Sequence, residues 1–229
     1  MKKLITIILV LSLFEGTVLA QKKDTLKTKK EKVSYSVGVT FGKNIKTQDL
    51  NLDQRLFLQG VKDGLDGSKT KMSEKEIEET MVSFQQEMTN KMQAKQMADG
   101  KKNKTEGEAF LAANKKKEGV VTLPSGLQYK ILKAGDGPKP TKEQTVKCHY
   151  SGTTIDGKEF DSSYKRGEPT EFPVGQVIPG WTEALQLMPV NSKWQLFIPS
   201  DLAYGERGAG QMIGPNAALI FEVELLSIK

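Results

Sequence analysis

The sequence predicts an α+β protein: an all-helical N-terminal half, a long connecting helix, and a C-terminal domain of short antiparallel strands around one apolar helix. Three observations carry this reading. Val33, Val37, Phe41 and Ile45 recur every fourth residue, as one stripe of a helix does. No proline interrupts the chain from Ser73 to Lys117. Beyond Gly119, apolar and polar residues alternate between Gly- and Pro-rich turns, the signature of half-buried strands.

In chain order, residues 1–20 read as a secretion signal. Lys2 and Lys3 precede the apolar run Leu4 to Phe14, and Val18-Leu19-Ala20 forms a small-residue cleavage site before Gln21. The run is too short to cross a bilayer as a mature helix, so an exported, periplasmic chain without stable membrane insertion is expected. Residues 21–32 are rich in Lys and Thr and read as a flexible leader. Residues 33–72 form a helical module. Its second helix, capped by Asn51 or Asp53, carries Leu52, Leu56, Phe57, Val61 and Leu65, and stops near Gly64 and Gly67.

Ser73 with Glu76 is a capping box opening the long helix of residues 73–118. Ile77, Met81, Phe84 and Met88 continue an apolar stripe, which thins to Met92 and Met97 among Lys and Gln. A helix polar nearly all round reads as a solvated spacer of roughly 60 Å if unbroken, with Gly100 and Gly107 as the places where it would bend or break. The two short helices and the start of the third offer more apolar surface than so small a module can bury alone. They either pair between two chains or fold back on their own stalk.

Residues 120–229 carry the β texture. Tyr129 and Ile131, then Val146, Cys148 and Tyr150, then Trp194, Leu196 and Ile198, then Leu219, Phe221, Val223 and Leu225 each alternate with polar neighbours. Asp156-Gly157 is a hairpin signal. Pro179 opens a short helix with Trp181, Leu185 and Met188 on one face.

Composition excludes several chemistries. The net charge of +6 comes from lysine clusters that lack interleaved aromatics, so no nucleic-acid partner is expected. With one cysteine, Cys148, and one histidine, His149, the chain has no intramolecular disulfide and no zinc site with several ligands of each kind. No nucleophile-elbow motif accompanies His149, and no cofactor is implied. Cys148 reads as a core thiol, and His149 as a half-exposed strand residue. Asn103-Lys104-Thr105 matches a glycosylation sequon, to which no role is assigned.

Four ordered blocks carry a resemblance: HYSGTTIDGKEFDSS (His149 to Ser163), VIPGWTEALQLM (Val177 to Met188), AYGERGAG (Ala203 to Gly210) and LIFEVELL (Leu219 to Leu226). Together they resemble the FKBP-type peptidyl-prolyl cis/trans isomerases. The N-terminal arrangement, with YSVGVTFG (Tyr35 to Gly42), is similar to the macrophage infectivity potentiator-like bacterial branch. The resemblance implies a sheet wrapped around the short helix, leaving an aromatic cleft. It implies Asp161, Tyr204 and Phe160 as catalytic residues. Tyr150, Arg166, Phe172, Val177, Ile178, Trp181, Ile213 and Phe221 would bind substrate, with Trp181 as the floor under the proline ring. It also implies homodimerisation through the N-terminal helices, proline-containing polypeptides as partners, and binding of macrolide inhibitors. Thr170 stands where the best-studied single-domain members carry an aromatic residue and Ala209 where they carry a histidine. The loop from Gly175 to Val177 is shorter than theirs.

That activity suits the exclusions. Rotation about an X–Pro bond breaks no covalent bond. Its barrier of about 18–20 kcal/mol is the lost amide resonance, so the site needs only to bind the twisted amide better than the planar forms. The expectation is therefore an exported prolyl isomerase that assists folding of secreted or envelope proteins. Two other classes compete: a holdase-type chaperone in which the paired N-terminal helices form a cleft and isomerisation is secondary, and a binding module that has lost catalysis.

Overall fold

The computed structural model describes residues 25–67 and 69–229, so the expected secretion signal lies outside the described residues. The backbone divides into two compact units between Ser73 and Glu74.

The first unit holds α1 (Lys29–Thr47) and α2 (Gln54–Asp66). Helix α1 begins four residues before Val33, inside the stretch read as a flexible leader. Thr28 closes a capping box: its Oγ1 accepts from Glu31 N at 3.2 Å, and Glu31 Oε2 accepts from Thr28 N at 2.8 Å. The lysines between are good helix formers, so the cap, and not the apolar stripe, sets the start. Asp53 caps α2 by accepting from Leu56 N at 3.0 Å, and the helix ends on left-handed Gly67. Phe41 stacks on Phe57 with ring centroids 5.7 Å apart. No residue of either helix is buried, and Val33, Val37 and Phe41 are more than half exposed.

The second unit begins with α3 (Glu74–Asn114) and continues into a seven-stranded antiparallel sheet. Its strands are β1 (Val120–Thr122), β2 (Gln128–Lys133), β3 (Thr145–Thr154), β4 (Glu159–Ser162), β5 (Thr170–Pro173), β6 (Lys193–Ile198) and β7 (Leu219–Ile228). They run in the order β1-β2-β6-β7-β3-β4. Strand β3 is long enough to pair twice on one side, with β5 at Thr145–Cys148 and with β4 at Ser151–Thr153. Helix α4 (Ser163–Arg166) follows β4, and α5 (Pro179–Leu185) has its proline in the first turn. Trp181, Ala184, Leu185 and Met188, on or just after α5, share one buried cluster with the inward residues of β3, β6 and β7. Cys148 lies in that cluster, and burial pushes its thiol up to about 12.

Helix α3 corrects the expectation of a solvated spacer. It is one unbroken helix of 41 residues, and its C-terminal turns are docked on the sheet unit. Gly100, Gly107 and Asn114 are its buried residues. A Cβ on Gly107 would stand 3.1 Å from Ala218 Cβ, so glycine allows the close approach and does not break the helix. Phe110 meets Phe197 with ring centroids 6.0 Å apart. Phe197 is out of phase with inward-facing Leu196 and Ile198, yet it is only 5% exposed. Asn114 Nδ2 donates to Gln128 Oε1 at 3.0 Å, and Gln128 Nε2 donates to the Leu111 carbonyl at 2.9 Å. The helix belongs to the sheet unit, whereas the sequence places the boundary after residue 118. The reason is chemical: apart from Phe110, small and amide side chains make this docking face, and these give no apolar periodicity.

Candidate active site

The strand pattern brings six aromatic side chains to one cavity of about 310 Å³. Tyr150 comes from β3, Phe160 from β4, Phe172 from β5, Trp181 from α5, Phe221 from β7, and Tyr204 from the segment after β6. Trp181 is 4% exposed and central. Its ring lies 5.3 Å from those of Tyr150 and Phe221 and 5.4 Å from Phe172, each close to perpendicular. Phe160 stands edge-on to Phe221 at 5.5 Å. Edge-to-face packing of this kind fixes each ring by its neighbours. The indole Nε1 of Trp181 is buried without a hydrogen-bond partner among the described residues.

Gly152 makes the wall possible. It sits on β3 opposite Phe221, and a Cβ there would come within 2.6 Å of Phe221 and 2.7 Å of Phe160. Only a residue without a side chain lets the two rings meet across the strand.

One edge of the cavity is polar. Tyr150 Oη donates to Asp161 Oδ2 at 2.6 Å, and Arg166 Nη2 donates to Tyr150 Oη at 2.7 Å and to Thr170 Oγ1 at 3.1 Å. Arg166 Nη1 also pairs with Asp161 Oδ1. Arg166 reaches the network because the four-residue helix α4, capped by Ser162, turns the chain back over β3. Thr170 Oγ1 accepts the second of these guanidinium hydrogen bonds. Burial pushes the Asp161 carboxyl upward, but hydrogen bonds from Tyr150 and Arg166, with the guanidinium charge, outweigh it. The carboxyl lies below its ordinary range. Burial first, and then the charge of Asp161, raise the Tyr204 hydroxyl above its usual value, so it remains a donor at neutral pH.

Of the residues named from the sequence, Tyr150, Phe160, Asp161, Phe172, Val177, Ile178, Trp181, Tyr204, Ile213 and Phe221 all line this cavity. Arg166 stands behind it, bonded to two of them. Gln176 lines it as well and was not named, since a lone glutamine in a loop carries no sequence signal. His149 lies outside it, stacked on Tyr164 at 4.6 Å with Nδ1 3.0 Å from Ser163 Oγ. Among the described residues, no group of three or more His, Cys, Asp or Glu could hold a metal ion.

Comparisons with known proteins agree on one family. Residues 137–226 match the model of the FKBP-type peptidyl-prolyl cis-trans isomerase, and residues 30–131 match that of the domain amino-terminal to it. The outer membrane protein MIP of Legionella longbeachae is 46% identical over 99% of this chain and 97% of its own. The peptidyl-prolyl cis-trans isomerase Mip of Coxiella burnetii is 45% identical over 100% and 99%. The crystal structure of FkpA from Escherichia coli superimposes with a TM-score of 0.69 at 38% identity, covering 90% of this chain and 99% of that one.

Proposed function

This chain belongs to the FKBP-type peptidyl-prolyl cis-trans isomerases, and from that premise we propose that the aromatic cavity over Trp181 is where the X–Pro bond turns. The observation that carries the proposal is the cavity itself: five rings and three aliphatic side chains around a buried indole, with an ionised carboxylate at one edge.

The pyrrolidine ring lies on the Trp181 indole between Tyr150, Phe160 and Phe221. Water there would stabilise the polar planar amide, so its exclusion favours the twisted, less dipolar form. The negative charge of Asp161 acts in the same direction, because it opposes the partial negative charge that resonance places on the rotating carbonyl oxygen. Arg166 and Tyr150 hold that carboxylate ionised and fixed. Tyr204 donates to a carbonyl flanking the proline and not to the rotating one, since a donor on the latter would favour resonance. Phe172, Val177, Ile178 and Ile213 complete the walls, and a macrolide inhibitor would compete for the same space.

The biological setting follows from the rest of the chain. The secretion signal read at residues 1–20, with the name of the Legionella relative, supports an exported protein acting on secreted or envelope polypeptides. The exposed apolar faces of α1 and α2, which bury no residue of their own, support a homodimer joined through these helices. Sedimentation of the mature chain as a dimer is the expected result. A monomer would remove this part of the proposal.

A proline-tetrapeptide isomerisation assay tests the site. Asp161→Leu and Tyr204→Phe are expected to lower kcat/KM with the fold intact. Unchanged rates in both folded variants would remove the proposal.

A further inference from the structure

We propose that Asn103 of α3 is a positioning residue for isomerisation, tying down the base of the segment that carries Tyr204 and Ile213 into the cavity. The inference rests on the reading of that cavity given above.

Between β6 and β7 the chain leaves the sheet, and this excursion supplies two cavity-lining side chains, Tyr204 and Ile213. It is held within itself by turns and not by strand pairing: Ser200–Leu202 and Gly205–Arg207 each form a 3-10 turn, Ala209 and Ile213 exchange a bridge, and Asn216 N donates to the Gly205 carbonyl at 2.8 Å. Without strand pairing of its own, such a segment gains rigidity from contacts with a neighbouring element.

Helix α3 provides one. Gly100, Asn103 and Gly107 fall at spacings of three and four, on one helical face. That face meets the base of the excursion: a Cβ on Gly100 would stand 3.2 Å from Pro215 Cβ, and one on Gly107 3.1 Å from Ala218 Cβ. Between these two close approaches, Asn103 Nδ2 donates to the Pro215 carbonyl at 2.8 Å. The amide fits a notch left by Gly214, where a Cβ would stand 2.8 Å from Asn103 Nδ2. Ile213 is the next residue, so one helix side chain fixes the backbone two residues from a cavity wall. The same bond explains Asn103 better than its sequon does, because its amide nitrogen is already engaged.

The test uses the full mature chain and a proline tetrapeptide. A misplacement of about 1 Å at a reacting site can cost about 10²-fold, so loss of one anchor of the excursion is expected to lower kcat/KM by about tenfold. Asn103→Ala removes the donor. Gly214→Ala attacks the same bond from the other side, by pushing out the flexible amide. The double variant should then be no worse than either single one, and Asn103→Ala should cost little in a Tyr204→Phe background. Melting temperatures should stay within a few degrees of the parent. Unchanged kcat/KM in Asn103→Ala overturns the inference. So do losses that add in the double variant and track a fall in melting temperature, because they mark a structural contact only. If Tyr204→Phe and Asp161→Leu are themselves fully active, the reading of the cavity fails; if they are impaired and Asn103→Ala is not, this inference alone fails.

Discussion

Cutting the chain after α3, to leave residues 120–229, should produce a domain much less stable than one beginning at residue 96. The longer fragment keeps the turns of α3 that carry Gly100, Asn103, Gly107, Phe110, Leu111 and Asn114. The shorter one uncovers Phe197, which is 5% exposed with the helix present. Fully burying a phenylalanine is worth about 1.5–3 kcal/mol. The Asn114–Gln128 and Gln128–Leu111 hydrogen bonds are lost too, each worth about 1 kcal/mol net. The total of about 3–5 kcal/mol is a large part of the 5–15 kcal/mol that ordinarily holds a domain together. At about 4–8 °C per kcal/mol for a small domain, the melting temperature should fall by roughly 12–40 °C. Thermal unfolding of the two fragments, followed by circular dichroism, measures this directly. Melting temperatures within a few degrees of each other would refute the reasoning and leave α3 as the solvated spacer its composition suggests.

Two further outcomes follow from the site. Gly152→Ala should destabilise by about 1–3 kcal/mol and lower tetrapeptide turnover, because the methyl group forces apart Phe160 and Phe221; urea unfolding alongside the activity assay checks both. Because the Asp161 carboxyl is depressed, its contribution to stability is fully present above the ordinary carboxylate range and disappears only as pH falls through the lowered value. Arg166→Ala removes one of the groups that depress it, so the acid limb of the activity profile should move to higher pH, and an unmoved limb would show that the pair does not control Asp161.

The sheet and the cavity were legible because both are written in side chains with strong periodic or family signals. Alternation at Val146, Cys148 and Tyr150 and at Leu219, Phe221 and Val223 puts these residues inside, and the four motif blocks hold five of the six aromatics that line the cavity, all but Phe172. Several features were not legible. Strand β5 is four residues long and ends in Pro173, too short for alternation to register. The docked half of α3 meets strand β2 through Asn114 and the segment between β6 and β7 through Gly100, Asn103 and Gly107, none of which a search for apolar stripes detects. Glycines in a helix read as breakers until the partner surface they admit is known. Phe197 was the available signal. An aromatic out of phase on a strand demands a cover on the opposite face, and Phe110 supplies it.

The central claim, that prolyl bonds turn over Trp181, is tested most directly by titrating an isotope-labelled mature chain with a proline tetrapeptide. One set of NMR spectra follows the Trp181 indole N–H and the peptide's cis–trans exchange together. The account predicts that catalysed exchange appears as the indole resonance shifts, with perturbations concentrated at Tyr150, Phe160, Tyr204 and Phe221. Catalysed exchange with the Trp181 resonance unmoved, and perturbations gathered elsewhere on the chain, would contradict it.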